Sequence, residues 1–180
     1  MVVSESELVA AVVRDRAAGK TIALANGIFD LLHAGHVRYL RGAAREADRL
    51  IVAVNDDPMA SRKGPGRPVL PAADRAELVA ALRDVDYVVI FPDETVSRLL
   101  TLIEPDVHCK GTDYSVDTVP ERAVVRAYGG RVAIVGDQKD HATRNLIARI
   151  RGEHRAGEEP RAASGEPRAS SPEHREPSPE

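Results

Sequence analysis

Residues 26–36 read Asn26-Gly27-Ile28-Phe29-Asp30-Leu31-Leu32-His33-Ala34-Gly35-His36, and the rest of the chain falls into place around them. An apolar run, Thr21 to Ala25, leads into them and reads as a buried strand. Behind them Val37, Leu40, Ala44 and Ala47 recur on one face of a helix. The order is therefore strand, tight glycine turn, two histidines, helix. A helix start carries unpaired N–H groups and partial positive charge, which suits an anion. His33 and His36, three residues apart, share one side of the first turn. Two imidazoles aimed at such a site point to phosphate chemistry. Either histidine alone reads as a helix cap or a satisfied polar residue. Together, directly behind strand-Gly-x-Phe-Asp, they read as a motif, because strand and helix supply its context.

Outward from this turn, strands and helices alternate. Residues 4–18 form an amphipathic helix, with Ser4 and Glu7 as a capping box and Leu8, Val9, Val12 and Val13 as its apolar stripe. Gly19 ends it. The first strand covers about 21–26 and the histidine-bearing helix about 34–47. Leu50 to Val54 is a second strand, apolar throughout as in a sheet buried on both faces. A loop rich in glycine, proline and positive charge follows, Ser61 to Pro68. Pro71 opens a helix bearing Leu78, Val79 and Leu82, and Tyr87 to Phe91 is the third strand. Thr95 caps a helix with Val96, Leu99, Leu100 and Ile103, stopped by Pro105. Val107 to Lys110 is the fourth strand. Thr118 and Glu121 make a second capping box, for a helix ending at Gly129-Gly130. Val132 to Val135 is the fifth strand, and the last helix runs from about Thr143 to Ile150. This alternation predicts a parallel α/β sheet with right-handed crossovers and ligands at the carboxyl ends of the strands. Periodicity leaves the strand order open.

Composition narrows the function. The chain has 180 residues, 43% hydrophobic and 29% charged, as in one ordinary globular domain. A net charge of −3 gives no electrostatic case for nucleic acid or an anionic membrane. No run reaches the length of a membrane span, and the N-terminus lacks a signal pattern. The single cysteine, Cys109, lies in an apolar run and reads as core, so a reducing cytoplasm is the expected location. Only four lysines occur; Lys63 sits beside glycine in a predicted loop, and Lys110 sits beside Gly111 where the fourth strand gives way to one. From residue 153 onward the only apolar residues are Ala156, Ala162, Ala163 and Ala169, so 1–152 reads as the domain and 153–180 as a disordered polar tail.

The turn with its two histidines resembles the His-x-Gly-His nucleotidyltransferases, the cytidylyltransferase-like family, over about residues 20–150. The resemblance implies a Rossmann-like five-stranded parallel sheet of order 3-2-1-4-5 with helices on both faces. It implies transfer of a nucleoside monophosphate from ATP or CTP to a phosphate. His33, His36 and Lys63 take the catalytic positions. Asn26, Gly27, Ile28, Phe29, Asp30, Gly35, Arg67, Thr143 and Arg144 are expected to bind the nucleotide. Lys110, Gly111, Asp113 and Tyr114 are expected to bind the acceptor. Lys63-Gly64-Pro65-Gly66-Arg67-Pro68 matches a Lys-Gly-x-x-Arg-Pro element of heptose-phosphate enzymes; by itself it would read as a solvated loop. Lys110-Gly111-Thr112-Asp113-Tyr114 matches their Lys-Gly-Gly-Asp-Tyr, with Thr112 in place of glycine; its plainer reading is a turn in which Asp113 bonds its own backbone. Arg75 beside Asp74 matches an acid–Arg pair of the family, or is a surface pair. The family's Ser-Thr-Thr at the last helix becomes Ala142-Thr143-Arg144, keeping one hydroxyl and adding a guanidinium.

The expected reaction gives an ADP-sugar and pyrophosphate from ATP and a sugar 1-phosphate, most similar to D-glycero-β-D-manno-heptose 1-phosphate adenylyltransferase. Mg2+ would arrive with the ATP, with no protein metal site. A sugar kinase on a separate chain is the expected pathway partner, and a homodimer is an open option. The alternatives are a CTP-dependent enzyme acting on glycerol 3-phosphate or phosphoethanolamine, and a non-catalytic nucleotide-binding regulatory module.

Overall fold

A computed structural model describes residues 1–137, 143–150 and 152. His141, Ala142 and the predicted tail at 153–180 lie outside the described residues, as do the side chains of Arg144, Asn145 and Arg149. Five parallel strands form one sheet: β1 (Ile22–Gly27), β2 (Arg49–Asn55), β3 (Tyr87–Phe91), β4 (Val107–Lys110) and β5 (Arg131–Ile134). Their spatial order is β3-β2-β1-β4-β5. The chain reverses direction across the sheet between β1 and β4, where Ala25 is paired with Cys109. The turn after β1 and the loop after β4 therefore leave the sheet side by side, at its ligand-binding edge.

Alternation along each strand divides the core. Ala23, Ala25, Val52, Val54 and Cys109 face one side, with α2 (Ala34–Ala44) and α4 (Ala72–Ala80) packed over them. Ile22, Leu24, Ile51, Ala53 and Phe91 face the other, under α1 (Glu5–Ala17), α5 (Ser97–Ile103) and α6 (Arg122–Ala127). Both faces being covered is what lets β2 run apolar from Leu50 to Val54. Gly42 brings α2 hard against the end of β5, since a Cβ there would stand 3.1 Å from the Val135 Cβ. A short helix, α3 (Asp57–Ser61), follows β2, and α7 (Thr143–Ile150) follows β5.

Several sequence expectations change. The Ser4–Glu7 capping box forms, but Val13 is 63% exposed and Ala11 takes its place in the core. The histidine-bearing helix stops at Ala44, short of Ala47. Leu78 is exposed, and α4 packs through Ala76 and Val79. Helix α3 has no counterpart among the predicted elements; Asp56 caps it with its side chain, and its five residues are too short for a periodic signal. Thr95 does not cap α5, whose N-cap is Val96 without a side-chain bond. The capping box near residue 118 pairs Ser115 with Thr118, leaving Glu121 for another contact.

Candidate active site

The β1–α2 turn is held in an unusual backbone shape. Phe29 and Leu31 both adopt left-handed conformations, at φ 53° and 51°. Such conformations cost free energy in residues with a Cβ and persist where the surroundings fix them. The Phe29 ring is buried and folds back on Gly27, where an added Cβ would lie 3.1 Å from the ring and press against it. The same ring meets the His36 imidazole edge-on, at 5.4 Å between centroids. Asp30 is buried and accepts hydrogen bonds from Arg67 Nε at 2.8 Å, Val69 N–H at 2.9 Å and Leu70 N–H at 3.1 Å. The Ile28 carbonyl accepts from the guanidinium of buried Arg75, which also donates to Leu70 O and Asp57 Oδ1. Arg75 thus pairs with Asp57 and not with its neighbour Asp74, and it is not a surface pair.

His33 is the N-cap of α2, and its Nδ1 accepts from Gly35 N–H at 3.2 Å. An accepting Nδ1 leaves the proton of a neutral imidazole on Nε2. His36 stacks on His33 at 3.9 Å between centroids. Its Nδ1 is buried without a hydrogen-bond partner among the described residues. Burial, with the neighbouring His33 next in weight, lowers its pKa to about 4, so His36 is neutral at physiological pH.

A cleft of about 680 Å³ opens at this end of the sheet. Asn26, Gly27, Ile28, Phe29 and Asp30 line its base, with Gly35 beside the two histidines. Lys63 and Arg67 approach from the loop after β2; the Lys63 side chain is exposed, whereas Arg67 is engaged with Asp30. Lys110, Gly111, Asp113 and Tyr114 face them from the loop after β4. Thr143 also lines the cleft, and its hydroxyl donates to Asp30 O at 3.0 Å, joining α7 to the turn. Every predicted site residue except Arg144 is therefore gathered around one cleft, and the Arg144 side chain lies outside the described residues.

Sequence reasoning missed several lining residues. Tyr39 donates its hydroxyl to Cys109 O at 2.8 Å, locking α2 to β4. Arg38 pairs with Asp137 at 3.1 Å, and Thr112 donates to Asp137 O at 2.8 Å, so the residue that departs from the family pattern ties two loops together. Glu121 is buried beside Lys110. Their spacing in sequence carries no signal; only the sheet brings them together. Among the described residues no three His, Cys, Asp or Glu side chains cluster as metal ligands, and no helix is long and apolar enough to cross a membrane.

A parallel sheet whose switch point opens on a glycine turn and stacked imidazoles defines an α/β domain built to handle nucleotide phosphates. The family model of the cytidylyltransferase-like proteins matches residues 24–163. The chain belongs to the cytidylyltransferase-like family and is a nucleotidyltransferase. It is 46% identical over 151 residues to the "Bifunctional protein HldE" of Ectopseudomonas mendocina and 49% identical over 151 residues to that of Halorhodospira halophila. These alignments cover 83% of the chain but 32% of either relative, so the chain spans about a third of their length. Among solved structures, the lipopolysaccharide core biosynthesis protein from Thermoplasma volcanium superposes with a TM-score of 0.56 at 28% identity, covering 64% of this chain and 94% of that one. Pantothenate synthetase from Thermus thermophilus shares the fold, at TM-score 0.53 and 22% identity, over 76% of this chain and 60% of its own.

Proposed function

We propose that the chain transfers AMP from ATP to a sugar 1-phosphate, with D-glycero-β-D-manno-heptose 1-phosphate as acceptor, giving ADP-sugar and pyrophosphate. The observation that carries this reading is the stacked His33–His36 pair opening onto the cleft that Lys63 and Lys110 also line. The match of Lys63 to Pro68 and Lys110 to Tyr114 to heptose-phosphate enzymes supports the acceptor, as does the identity to HldE proteins.

A phosphate oxygen of the acceptor forms the new bond to the α-phosphorus. The bond from that phosphorus to the oxygen bridging the β-phosphate breaks, and pyrophosphate leaves with the electron pair. No proton need move, so catalysis is positioning and charge stabilisation. His33 and His36 donate N–H groups to the α-phosphate and the bridging oxygen. The turn amides from Gly27 to Phe29, Gly35 and Thr143 hold nucleotide phosphates, with Asp30 and Asn26 shaping the turn and Arg144 adding a cation. Lys63, with Arg67 behind it, meets the departing pyrophosphate. Lys110, Gly111, Asp113 and Tyr114 receive the acceptor. The cleft presents amides, imidazoles and cations, a donor set that fits phosphate oxygens; Mg2+ would therefore be carried in by the triphosphate, neutralising its charge. A sugar kinase step would supply the 1-phosphate, and the reaction belongs to the cytoplasm, where ATP is available.

Pyrophosphate release tests this. The protein is incubated with Mg2+, ATP or CTP, and a panel of sugar 1-phosphates, glycerol 3-phosphate and phosphoethanolamine. Release with ATP and heptose 1-phosphate is expected. Release with CTP alone would replace the adenylyl reading by a cytidylyl one, and nucleotide binding without release from any pair would make the domain a regulatory module.

A further inference from the structure

The cleft contains a buried charge that the reaction above does not use. Glu121 sits just before α6, with almost none of its surface exposed. Its Oε2 lies 3.4 Å from Lys110 Nζ. The Nε2 of His108, fully buried on β4, is 3.7 Å from the same oxygen, too far for a hydrogen bond. Burial holds the His108 ring below its usual pKa and therefore neutral at physiological pH. Among the described residues, Lys110 is thus the charged partner within reach of the Glu121 carboxylate. The same ammonium lies 3.3 Å from Asn26 Oδ1, at the head of the turn, and 5.1 Å from the centre of the Tyr114 ring. Asn26, Glu121 and Tyr114 approach Lys110 from three different parts of the fold.

We propose that Glu121 is a positioning residue for the acceptor: its buried carboxylate fixes the Lys110 ammonium at the base of the cleft, between the glycine turn and the loop after β4. Carrying a carboxylate into the interior costs free energy, and the ion pair with Lys110 offsets that cost. Without the carboxylate, a nine-tenths buried ammonium would keep only an amide oxygen and a ring face, and would turn toward water. Glu121 stays ionised in this setting: burial pushes its pKa up, but the Lys110 ammonium beside it outweighs that and holds it below the usual carboxylate range. The carboxylate therefore stands ready at any pH at which the enzyme works.

This inference rests on the acceptor role proposed for Lys110, and the experiment separates the two. E121Q in the full chain should raise the KM for the sugar 1-phosphate about tenfold, the scale of losing one charge-assisted contact, with kcat and the KM for ATP changed less than threefold. K110Q should do the same, and the double variant should be no worse than K110Q alone. Equal effects on both substrates, no effect on either, or additive losses in the double variant would overturn the proposal. A second readout needs no turnover: in the unaltered protein the 15N-labelled Lys110 ammonium should give a slowly exchanging signal, absent in E121Q. Loss of turnover with every sugar phosphate while that signal persists would overturn the acceptor, not the positioning. If E121Q does not fold, absence of the protected signal in the unaltered protein overturns the positioning by itself.

Discussion

The turn after β1 and the loop after β2 face the same cleft and are built in opposite ways. In the turn, two left-handed residues, a buried phenylalanine and two stacked histidines are fixed by contacts from three other elements. The loop carries Lys63 and four other residues on an exposed, glycine- and proline-rich path, and its main tie to the core is the Arg67–Asp30 contact at its far end. Under the proposed reaction, the contrast follows where charge builds up. The α-phosphorus needs donors already in place, because reorganising them in the transition state would forfeit their effect. The departing pyrophosphate is multiply charged and diffuse, and a point charge on a looser segment can follow it. Asp30 joins the two regions, since one carboxylate accepts from Arg67 and from the Val69 and Leu70 amides.

If that junction holds the two regions in register, its removal should be the largest single loss. D30A leaves Arg67 without its buried partner and two amides unpaired, which should cost about 3 kcal/mol of stability in urea unfolding. A loss below about 1 kcal/mol would show that the loop holds itself. H33A and H36A should each lower turnover by at least about 10²-fold at saturating substrates, the scale of one transition-state donor. H33A should also weaken the α2 cap, so H33N, which can still cap, should recover stability without recovering turnover. K63A should cost less, about tenfold in turnover or roughly 1.4 kcal/mol, because its charge acts from an exposed site. A larger loss for K63A than for H36A would reverse the contrast and put the decisive charge on the loop.

The architecture was legible because most strands carry an apolar run, β2 and β3 above all. Tyr87–Phe91 and Val107–Lys110 match their predicted bounds to the residue. The predicted site residues could be gathered because the strand order, implied by resemblance, puts their loops at one edge. What stayed hidden was the support behind them. Arg75 reaches Ile28 across 47 residues, and Asp30 reaches Arg67 across 37, separations at which sequence spacing carries no information. Its distance from Thr118 makes Glu121 look like a helix cap, yet burial beside Lys110 and His108 gives it a different task. Local rules place a polar residue by its neighbours in sequence, and they fail where the fold buries it against a distant charge.

The smallest expected effect bears most directly on whether the turn is fixed before the substrate arrives. His36 is held at a pKa of about 4, against 6.5 for an ordinary histidine, first by burial and then by His33, with Arg67 acting the same way and Asp30 opposing. In the unfolded chain the ring takes a proton as pH falls through 6.5; in the folded chain it does so only near 4. Between those values the unfolded state binds more protons, so stability rises with pH across that window and the contribution is lost as pH falls toward 4. NMR of the His36 ring in the free protein should show a midpoint near 4, and H36N should remove that part of the stability slope. Bound triphosphate should raise the midpoint, since an anion favours the imidazolium. A midpoint near 6.5 without nucleotide would mean the ring is solvated before the substrate binds. The turn would then be no more fixed than the loop across from it, and the two sides of the cleft would have to be ordered together by the nucleotide.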